Sequence, residues 1–297
     1  MSNTNCLIVT FGFFGDIIFA TSLAEKFKAI GYSKVDYLIG FPQVAQLVKN
    51  NPHIDNVFVS KYPGPKPYIS LDLSKYDKVI ELQALDYEVT PCEQYQQQAG
   101  FLDTSSGYVV HTTPEYDTIA QQVIQEIKTT YLKPVIAVMT NWQPKTYLFT
   151  PEQYAAGIDV PTLGYGGAHR DIQFILEELQ NHFTLYPVGV GDANQQHTVN
   201  LPDDDQKSLL FEASILKYCD AFVGTDGGLA TIAAGVDSKT IITGDFNLQL
   251  YGWNGVLKKI ANPKLGPSMY FQDPKHTTLD PYLTDQQVIA EILNILK

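Results

Sequence analysis

Short apolar runs alternate along this chain with segments in which apolar residues recur every three or four positions. The runs have the composition of buried strands, and the spaced segments are typical of amphipathic helices. In the first part of the chain, strands are predicted at 6–11, 35–39 and 57–59, and helices at 16–29 and 44–49. Gly31 is expected to end the first helix. Since parallel strands need a crossover helix between them, this order predicts a parallel, doubly wound sheet.

The alternation weakens in the middle of the chain and then resumes. Residues 62–67 are rich in proline and predict a loop, which is followed by a strand at 78–82 and a helix at 118–128. After a proline-containing link at 131–134, strands are predicted at 135–139, 183–188, 221–223 and 240–243, and helices at 171–181, 207–218, 229–234 and 284–296. Thr284 and Gln287 form a capping signature at the start of the last helix.

The two alternating blocks predict an α/β protein with two Rossmann-like, doubly wound parallel-sheet domains that face a cleft. We place the first domain at 1–131, the second at 132–280 and a terminal helix at 281–297. A chain of 297 residues, 44% of them apolar, is long enough to bury two ordinary cores.

Composition narrows the classes of function. The net charge of −12 argues against unaided binding to nucleic acid or to an anionic membrane, because both need clustered cations. No apolar run reaches the roughly 18 to 20 residues of a membrane span, and the first residues lack the charged start of a signal peptide. The three cysteines have no metal-like spacing and are expected to be reduced, structural thiols. We expect a cytoplasmic protein with at most peripheral membrane contact and no direct nucleic-acid binding.

Two strand-to-helix junctions carry the strongest functional signal, at residues 11–16 and at residues 223–228. Each junction places glycines and an aspartate where the backbone N–H groups of a helix lack helical partners. Ligands of open α/β sheets bind outside the carboxyl ends of the strands, so the junctions predict a site for a small anionic ligand. An oxidoreductase that uses a dinucleotide is disfavoured, because residues 12–16 do not supply Gly-x-Gly-x-x-Gly. No motif supports zinc or Ser-His-Asp chemistry.

The residues around these junctions resemble glycosyltransferase family 9, the ADP-heptose lipopolysaccharide heptosyltransferases, which have the two-domain GT-B fold. Residues 15–23 are similar to the family's glycine-aspartate start of the first helix. Residues 37–40 and 51–55 are similar to its second strand and asparagine-proline turn. Residues 208–209 and 218–228 match its serine-leucine helix, short strand and aspartate-glycine turn without gaps. The likeness covers most of the chain and is weak in the middle of the first domain.

The resemblance implies inverting, metal-independent transfer of a heptose or related sugar from an ADP-linked nucleotide-sugar donor to a glycan, a glycolipid or another hydroxyl acceptor. It makes the first domain the acceptor side and the second domain the nucleotide-sugar side, and it implies no cofactor besides the donor. Three alternatives stay open. They are a nucleotide-sugar epimerase of the same fold, a transferase that acts on a non-lipid acceptor, and a catalytically silent sugar-nucleotide-binding protein.

Asp16 and Lys145 are the residues that the resemblance assigns to catalysis. Asp16 would accept the proton of the acceptor hydroxyl, and its alternative role is to cap the first helix. Lys145 follows the strand at 135–139 and would meet the donor phosphates, whereas a loop lysine is by default a solvated surface charge. Thr140 and Asn141 match family positions that hydrogen-bond the same phosphates.

The other predicted binding residues lie at the junctions and at the ends of two further elements. The glycines of the second junction let the backbone approach the diphosphate, and Asp226 fixes the turn or contacts the sugar. Asp192 follows a strand and would bind the ribose hydroxyls. Thr231 stands close to where the family has a histidine, so that phosphate contact is either missing or made by Thr231. Lys207 and Ser208 lie where the family reads the adenine edge with backbone groups. The predicted donor-binding set is Gly15, Thr140, Asn141, Asp192, Lys207, Ser208, Asp226, Gly227, Gly228 and Thr231.

Overall fold

The computed structural model describes residues 4–12, 14–60, 71–83, 89–105, 107–139, 171–189, 208–225, 227–243, 275–279 and 283–297. Over these residues the chain is an α/β protein with two parallel sheets, of four and five strands, flanked by helices. The strands are β1 (Asn5–Thr10), β2 (Lys34–Ile39), β3 (Asn56–Val59), β4 (Lys78–Glu81), β5 (Val135–Met139), β6 (Thr184–Val188), β7 (Ala221–Gly224), β8 (Thr240–Ile242) and β9 (His276–Thr278). The helices are α1 (Phe14–Ala20), α2 (Ser22–Ala29), α3 (Ala45–Lys49), α4 (Pro91–Gln98), α5 (Pro114–Tyr131), α6 (Ile172–Leu179), α7 (Leu209–Tyr218), α8 (Gly228–Gly235) and α9 (Asp285–Leu296).

Strand order shows where each sheet changes its direction of winding. The first sheet has the order β3-β2-β1-β4 and the second has the order β6-β5-β7-β8-β9, with parallel pairing throughout. From β1 the chain continues to β2 and β3 on one side, and it then returns to place β4 on the other side of β1. In the second sheet it continues from β5 to β6 on one side, and it then returns to place β7 on the other side of β5. Ligands of such sheets bind at these reversals, outside the carboxyl ends of the strands. The prediction of two parallel α/β sheets is confirmed, and the topology directs attention to the ends of β1, β5 and β7.

The main apolar core runs through both sheets. Buried side chains of β1, α1 and α2 join those of α7, α8 and β7 in one cluster, which includes Ile8, Phe211 and Phe222. A second cluster lies where α6 and α9 cover the other face of the second sheet. Burying one large apolar side chain contributes about 1.5 to 3 kcal/mol, so the shared cluster is a large part of the folding free energy. The two sheets therefore share one core, with α1 and α8 in contact at its centre.

The cysteines are part of this buried interior. Cys6, Cys92 and Cys219 are free thiols with buried side chains. Burial raises the pKa of the Cys6 thiol to about 12, which keeps it protonated at neutral pH. A protonated, inaccessible thiol is a poor nucleophile, so the prediction of structural thiols is confirmed.

The first predicted helix is divided in two, and that detail of the prediction was wrong. At Thr21 the backbone N–H donates to the carbonyl of Ile18 at 3.1 Å, and the Thr21 hydroxyl donates to the same carbonyl at 2.7 Å. Both bonds reach back three residues, which interrupts the four-residue ladder between α1 and α2. The expected end of α2 is confirmed, since Gly31 has a φ of 100° and Tyr32 N–H donates to the Phe27 carbonyl.

Helix α4 was missed because its sequence has little apolar periodicity. Its start was nevertheless readable, since Thr90 and Glu93 form a capping box around Pro91. Strand β9, of three residues, was also missed, and α5 begins four residues before the predicted start, where Thr113 caps it. The remaining predicted strands and helices are confirmed within two or three residues of their ends, including the capping box at the start of α9.

A charged network holds α5, which precedes the second sheet, against α7. The Asp117 carboxylate accepts hydrogen bonds from Lys217 Nζ at 2.6 Å, Ser214 Oγ at 2.9 Å and Thr112 Oγ1 at 3.0 Å. Burial alone would raise the pKa of Asp117, but these three donors and the charge of Lys217 bring that pKa below its usual value. Only 17% of the Asp117 side chain is exposed, against 39% for Lys217, so solvent screens the carboxylate less than it would in a fully exposed ion pair.

We expect Asp117→Asn to lower the free energy of unfolding at pH 7 by about 1 to 3 kcal/mol, because it removes hydrogen bonds to a charged group. A lowered pKa gives stability that is fully present above the unfolded-state pKa of 3.8 and is lost as the pH falls through the folded-state pKa. The difference between wild type and variant should therefore shrink below pH 3.8, as measured by urea unfolding across pH. The control is Asp237→Asn in an exposed ion pair with Lys275, which should change stability by less than about 0.5 kcal/mol. Equal losses in both variants would contradict the prediction.

Candidate functional site

The junction between β1 and α1 places a carboxylate at the first turn of a helix. Thr10 ends β1 with a buried side chain, and its Oγ1 accepts from the N–H of Gly12 at 3.4 Å. Asp16 is the acidic residue in the first turn of α1 and is partly exposed. An acid at this place interacts favourably with the helix dipole, which agrees with either a capping or a catalytic role.

The junction between β7 and α8 lies at the switch point of the second sheet. Thr225 follows β7 with a buried side chain, and its hydroxyl donates to the sulfur of Met139, the last residue of β5, at 3.5 Å. Gly227 occupies the position before α8 and has no side chain that could cap the helix. The N-terminus of α8 is therefore built from backbone groups, and such termini attract anions.

The two junctions are in direct contact with each other. A Cβ built on Gly15 would lie 3.1 Å from Thr231 Oγ1, and a Cβ built on Gly228 would lie 2.9 Å from the Cβ of Phe14. A side chain at either position would press on a side chain of the facing helix, so the two glycines allow α1 and α8 to come this close. The helix that carries Asp16 and the helix that begins at the Gly227–Gly228 turn therefore meet at their first turns.

Tyr108 is a residue of this contact that sequence analysis missed. Its hydroxyl donates to the carbonyl of Thr231 in α8 at 2.7 Å, and its ring packs edge-on against Phe19 of α1 at 5.1 Å. The neighbouring Val110 N–H donates to the carbonyl of Gly235 at 2.8 Å. Tyr108 lies in a segment without helical or strand periodicity, so only its three-dimensional position shows that it joins α1 to α8.

Thr231 is committed to contacts within the protein. Its side chain is buried, and its hydroxyl donates to the carbonyl of Gly227 at 3.1 Å, four residues earlier in the chain. The same oxygen lies beside Gly15. A contact between Thr231 and phosphate stays a prediction. In the structure, Thr231 packs where α1 and α8 meet.

Ser208 directly precedes α7 and Glu212 lies in its first turn, next to the end of β6. Ser208 caps α7 by accepting from the N–H of Phe211 at 3.1 Å. Glu212 accepts from the N–H of Gly189 at 2.9 Å, and burial raises the pKa of its carboxyl group. Gly189 directly follows β6, so Glu212 holds the residue after the strand, three positions before Asp192, which was predicted to bind ribose. Sequence analysis missed Glu212, whose only signal was an acid in the first turn of a helix.

No family model matches this sequence, and no curated protein matches it. Among solved structures, a glycosyltransferase of family 9 from Veillonella parvula has a TM-score of 0.63 at 16% identity, over 100% of this chain and 98% of its own. E. coli ADP-heptose lipopolysaccharide heptosyltransferase II has a TM-score of 0.61 at 14% identity, over 99% of this chain and 98% of its own. E. coli heptosyltransferase WaaC, solved with ADP, has a TM-score of 0.57 at 14% identity, over 98% of this chain and 100% of its own. The chain has their fold. The resemblance to family 9 that the motifs indicate is thereby confirmed at the level of the fold, which is GT-B-like by these neighbours.

Several predicted site residues lie outside the described residues, namely Thr140, Asn141, Lys145, Asp192, Lys207 and Asp226. Their places in the chain are nevertheless informative. Thr140 directly follows β5 in the chain, and Asp226 follows β7 by two residues, so each comes after the carboxyl end of a strand at the switch point. Within the part of the chain that the structure describes, no three His, Cys, Asp or Glu residues could hold a metal ion, and no helix is long and apolar enough to cross a bilayer.

Proposed function

We propose that this protein is a glycosyltransferase of the family 9 type, which moves a heptose or related sugar from an ADP-linked donor to a hydroxyl of a glycan or glycolipid, with inversion at the sugar carbon. The observation that carries the proposal is the contact between the β1–α1 and β7–α8 junctions, each at a switch point of its sheet. This contact brings the helix of Asp16 to the Gly227–Gly228 turn. The fold shared with two heptosyltransferases supports the same reading.

In this proposal the two parts of the chain bind different substrates across a cleft. Residues 1–131 form the acceptor side, residues 132–280 form the nucleotide-sugar side, and residues 281–297 add a terminal helix. Asp16 comes from the acceptor side and the Gly227–Gly228 turn from the donor side. A base and a leaving group must lie on opposite sides of the reacting carbon in an inverting transfer, and the proposed division is compatible with that requirement.

The donor diphosphate is proposed to bind at the N-terminus of α8. Backbone N–H groups and the helix dipole favour its charge there, and Lys145, Thr140 and Asn141 would approach from the loop after β5. These local donors are needed because the protein as a whole carries a net charge of −12. Asp192 is proposed to bind the ribose, and the start of α7 at Lys207 and Ser208 to bind the adenine edge.

Transfer then proceeds by direct displacement. Asp16 accepts the proton of the acceptor hydroxyl while that oxygen forms a bond to the anomeric carbon, and the bond from this carbon to the diphosphate oxygen breaks. The electron pair of the broken bond leaves with ADP, whose added negative charge is stabilised by Lys145 and the N–H groups of α8. One inversion results from the single displacement. No metal ion and no cofactor besides the donor are proposed to take part.

Nucleotide binding and product analysis test the proposal together. We expect isothermal titration calorimetry to give a Kd for ADP at least about tenfold below those for UDP, GDP and adenosine, since a base pocket and a diphosphate site both contribute to the free energy. Incubation with ADP-heptose and a glycan that lacks heptose should release ADP and give the inverted anomer by NMR, with or without EDTA.

Three outcomes would contradict the proposal in different ways. ADP binding without ADP release from any donor would favour a catalytically silent binding protein. Conversion of the nucleotide sugar without an acceptor would favour an epimerase. Loss of transfer on addition of EDTA would show that the metal-free mechanism is wrong.

A further inference from the structure

We propose that Gly12 is a positioning residue, because the absence of a side chain at this place sets where the carboxylate of Asp16 lies. The resemblance to family 9 assigns no role to Gly12. The inference rests on the proposed function, in which Asp16 is the base, and it adds a second residue on which the placement of that base depends.

The Asp16 side chain lies directly over the Cα of Gly12. A Cβ built on Gly12 would be 2.5 Å from Cβ, 2.8 Å from Cγ and 2.6 Å from Oδ2 of Asp16. Cβ atoms in proteins do not come this close to other heavy atoms. The backbone of α1 has little freedom to retreat, because the next residues, Ile17 and Ile18, are buried in the core. Rotation of the Asp16 side chain would clear Cγ and Oδ2 but not Cβ, so an alanine at position 12 must also shift the backbone of residue 12 or residue 16, and the carboxylate is displaced in either case.

Backbone conformation does not explain the glycine. The described glycines with positive φ are Gly31, Gly100, Gly189 and Gly227, so Gly12 does not adopt the left-handed conformation that disfavours other residues. Its N–H bond to Thr10 Oγ1 could be made by any residue other than proline. Among the described contacts of Gly12, the one with Asp16 is thus the one that requires glycine at this position.

A displaced carboxylate should affect turnover more than donor binding. A general base must come within about 2.6 to 3.2 Å of the proton that it removes, and a misplacement of about 1 Å can lower a rate by 10²-fold. Gly12→Ala leaves every predicted donor-binding residue unchanged. We therefore expect kcat to fall by roughly 10- to 10²-fold while the KM for the donor stays within about twofold.

The contact itself is tested by thermal unfolding, without any assay of activity. Gly12→Ala should lower the Tm of the wild-type chain by roughly 2 to 6 °C, the shift expected when a packed site receives one extra methyl group. In the Asp16→Gly background, which has no Cβ at position 16, the same substitution should have little effect on Tm. An equal decrease of Tm in the two backgrounds would overturn the proposal.

Activity is then compared in the same series with ADP-heptose as donor. The double variant Gly12→Ala/Asp16→Asn should have the kcat of Asp16→Asn alone, because Gly12 acts only through the carboxylate. The matched control is Gly40→Ala, in which the new Cβ would lie 3.3 Å from Phe11 Cδ1 and would leave kcat near that of wild type. Full kcat in Gly12→Ala, or a further tenfold loss in the double variant, would overturn the inference. Full kcat in Asp16→Asn would instead remove the base from the proposed function and leave the result of the thermal cycle unchanged.

Discussion

Asp16→Asn should lower kcat by roughly 10²-fold or more and leave the Kd for ADP within about twofold, because the contribution of a positioned base lies in the transition state. Asparagine has nearly the volume of aspartate, so it can keep the packing of the side chain over Gly12. Only the ability to accept a proton is lost. Initial rates of ADP release from ADP-heptose and calorimetric titration of ADP measure the two quantities separately.

The competing role for Asp16 is that of an acid which stabilises the first turn of α1. A matched control is Asp285→Asn, since Asp285 is the acid in the first turn of α9. Loss of a favourable interaction with a helix dipole costs about 0.3 to 1 kcal/mol of stability, and it should leave kcat unchanged in the control. A variant at Asp16 that loses stability and keeps its turnover would show that capping is its whole role.

Lys145→Ala should weaken ADP binding by about 1.5 to 3 kcal/mol, the range for a hydrogen bond to a charged group, which is roughly 10- to 150-fold in Kd. Lysine supplies a mobile charge, and the turn before α8 supplies fixed N–H groups. Together they offset the free energy that the diphosphate loses when water is removed from it. Adenosine binding should hardly change. Titration of adenosine, AMP and ADP into each variant measures this dependence on phosphate.

The control for this prediction lies at the other end of the same strand. Lys133 precedes β5, and its Nζ donates to the carbonyl of Gln180 at 2.8 Å, so Lys133→Ala removes a lysine far from the carboxyl end. Its Kd for ADP should stay within about twofold of the wild-type value. If Lys145→Ala weakens all three ligands equally, the substitution perturbs the fold, and no loss for ADP would exclude Lys145 from the site.

The structure changes how a substitution at Gly228 should be interpreted. Gly228→Val is expected to weaken ADP binding at least as much as Lys145→Ala, because a branched side chain obstructs the backbone at the start of α8. A Cβ at this position would also lie 2.9 Å from the Cβ of Phe14, so the variant pushes α1 away as well. Stability therefore has to be measured beside affinity for Gly228, whereas Lys145 gives the cleaner test of the diphosphate site.

Local signals in the sequence were sufficient to predict most elements and the ends of the sheets where a ligand should bind. Strand β5 was predicted with its observed ends, because a run of branched residues follows a proline and is buried on both faces. The two junctions were identified because each combines glycines and an aspartate where a strand ends and a helix begins, a place at which helix N-termini favour anions.

Contacts between distant parts of the chain could not be predicted in the same way. The hydroxyl of Tyr108 donates a hydrogen bond to Thr231, which is 123 positions away in the chain, and no periodicity in the sequence indicates a contact over that separation. The close approach of Gly12 to Asp16 is local, yet it depends on a side-chain rotamer that composition does not determine. Helix α4 was missed for a different reason, since its capping box was readable but its polar sequence lacked the expected period.

The hydrogen bonds of the segment around Tyr108 have a consequence for dividing the protein into parts. A cut after residue 131 would follow the border between the two sheets, but it would remove Tyr108 and Val110 from the half that contains α8. The carbonyls of Thr231 and Gly235 would lose the hydrogen bonds from Tyr108 and Val110, and an apolar face of α8 would be exposed to water. A chimera that takes its second half from another enzyme would have to bring this segment with it, because the unit that can be exchanged is defined by these bonds and not by the order of the strands.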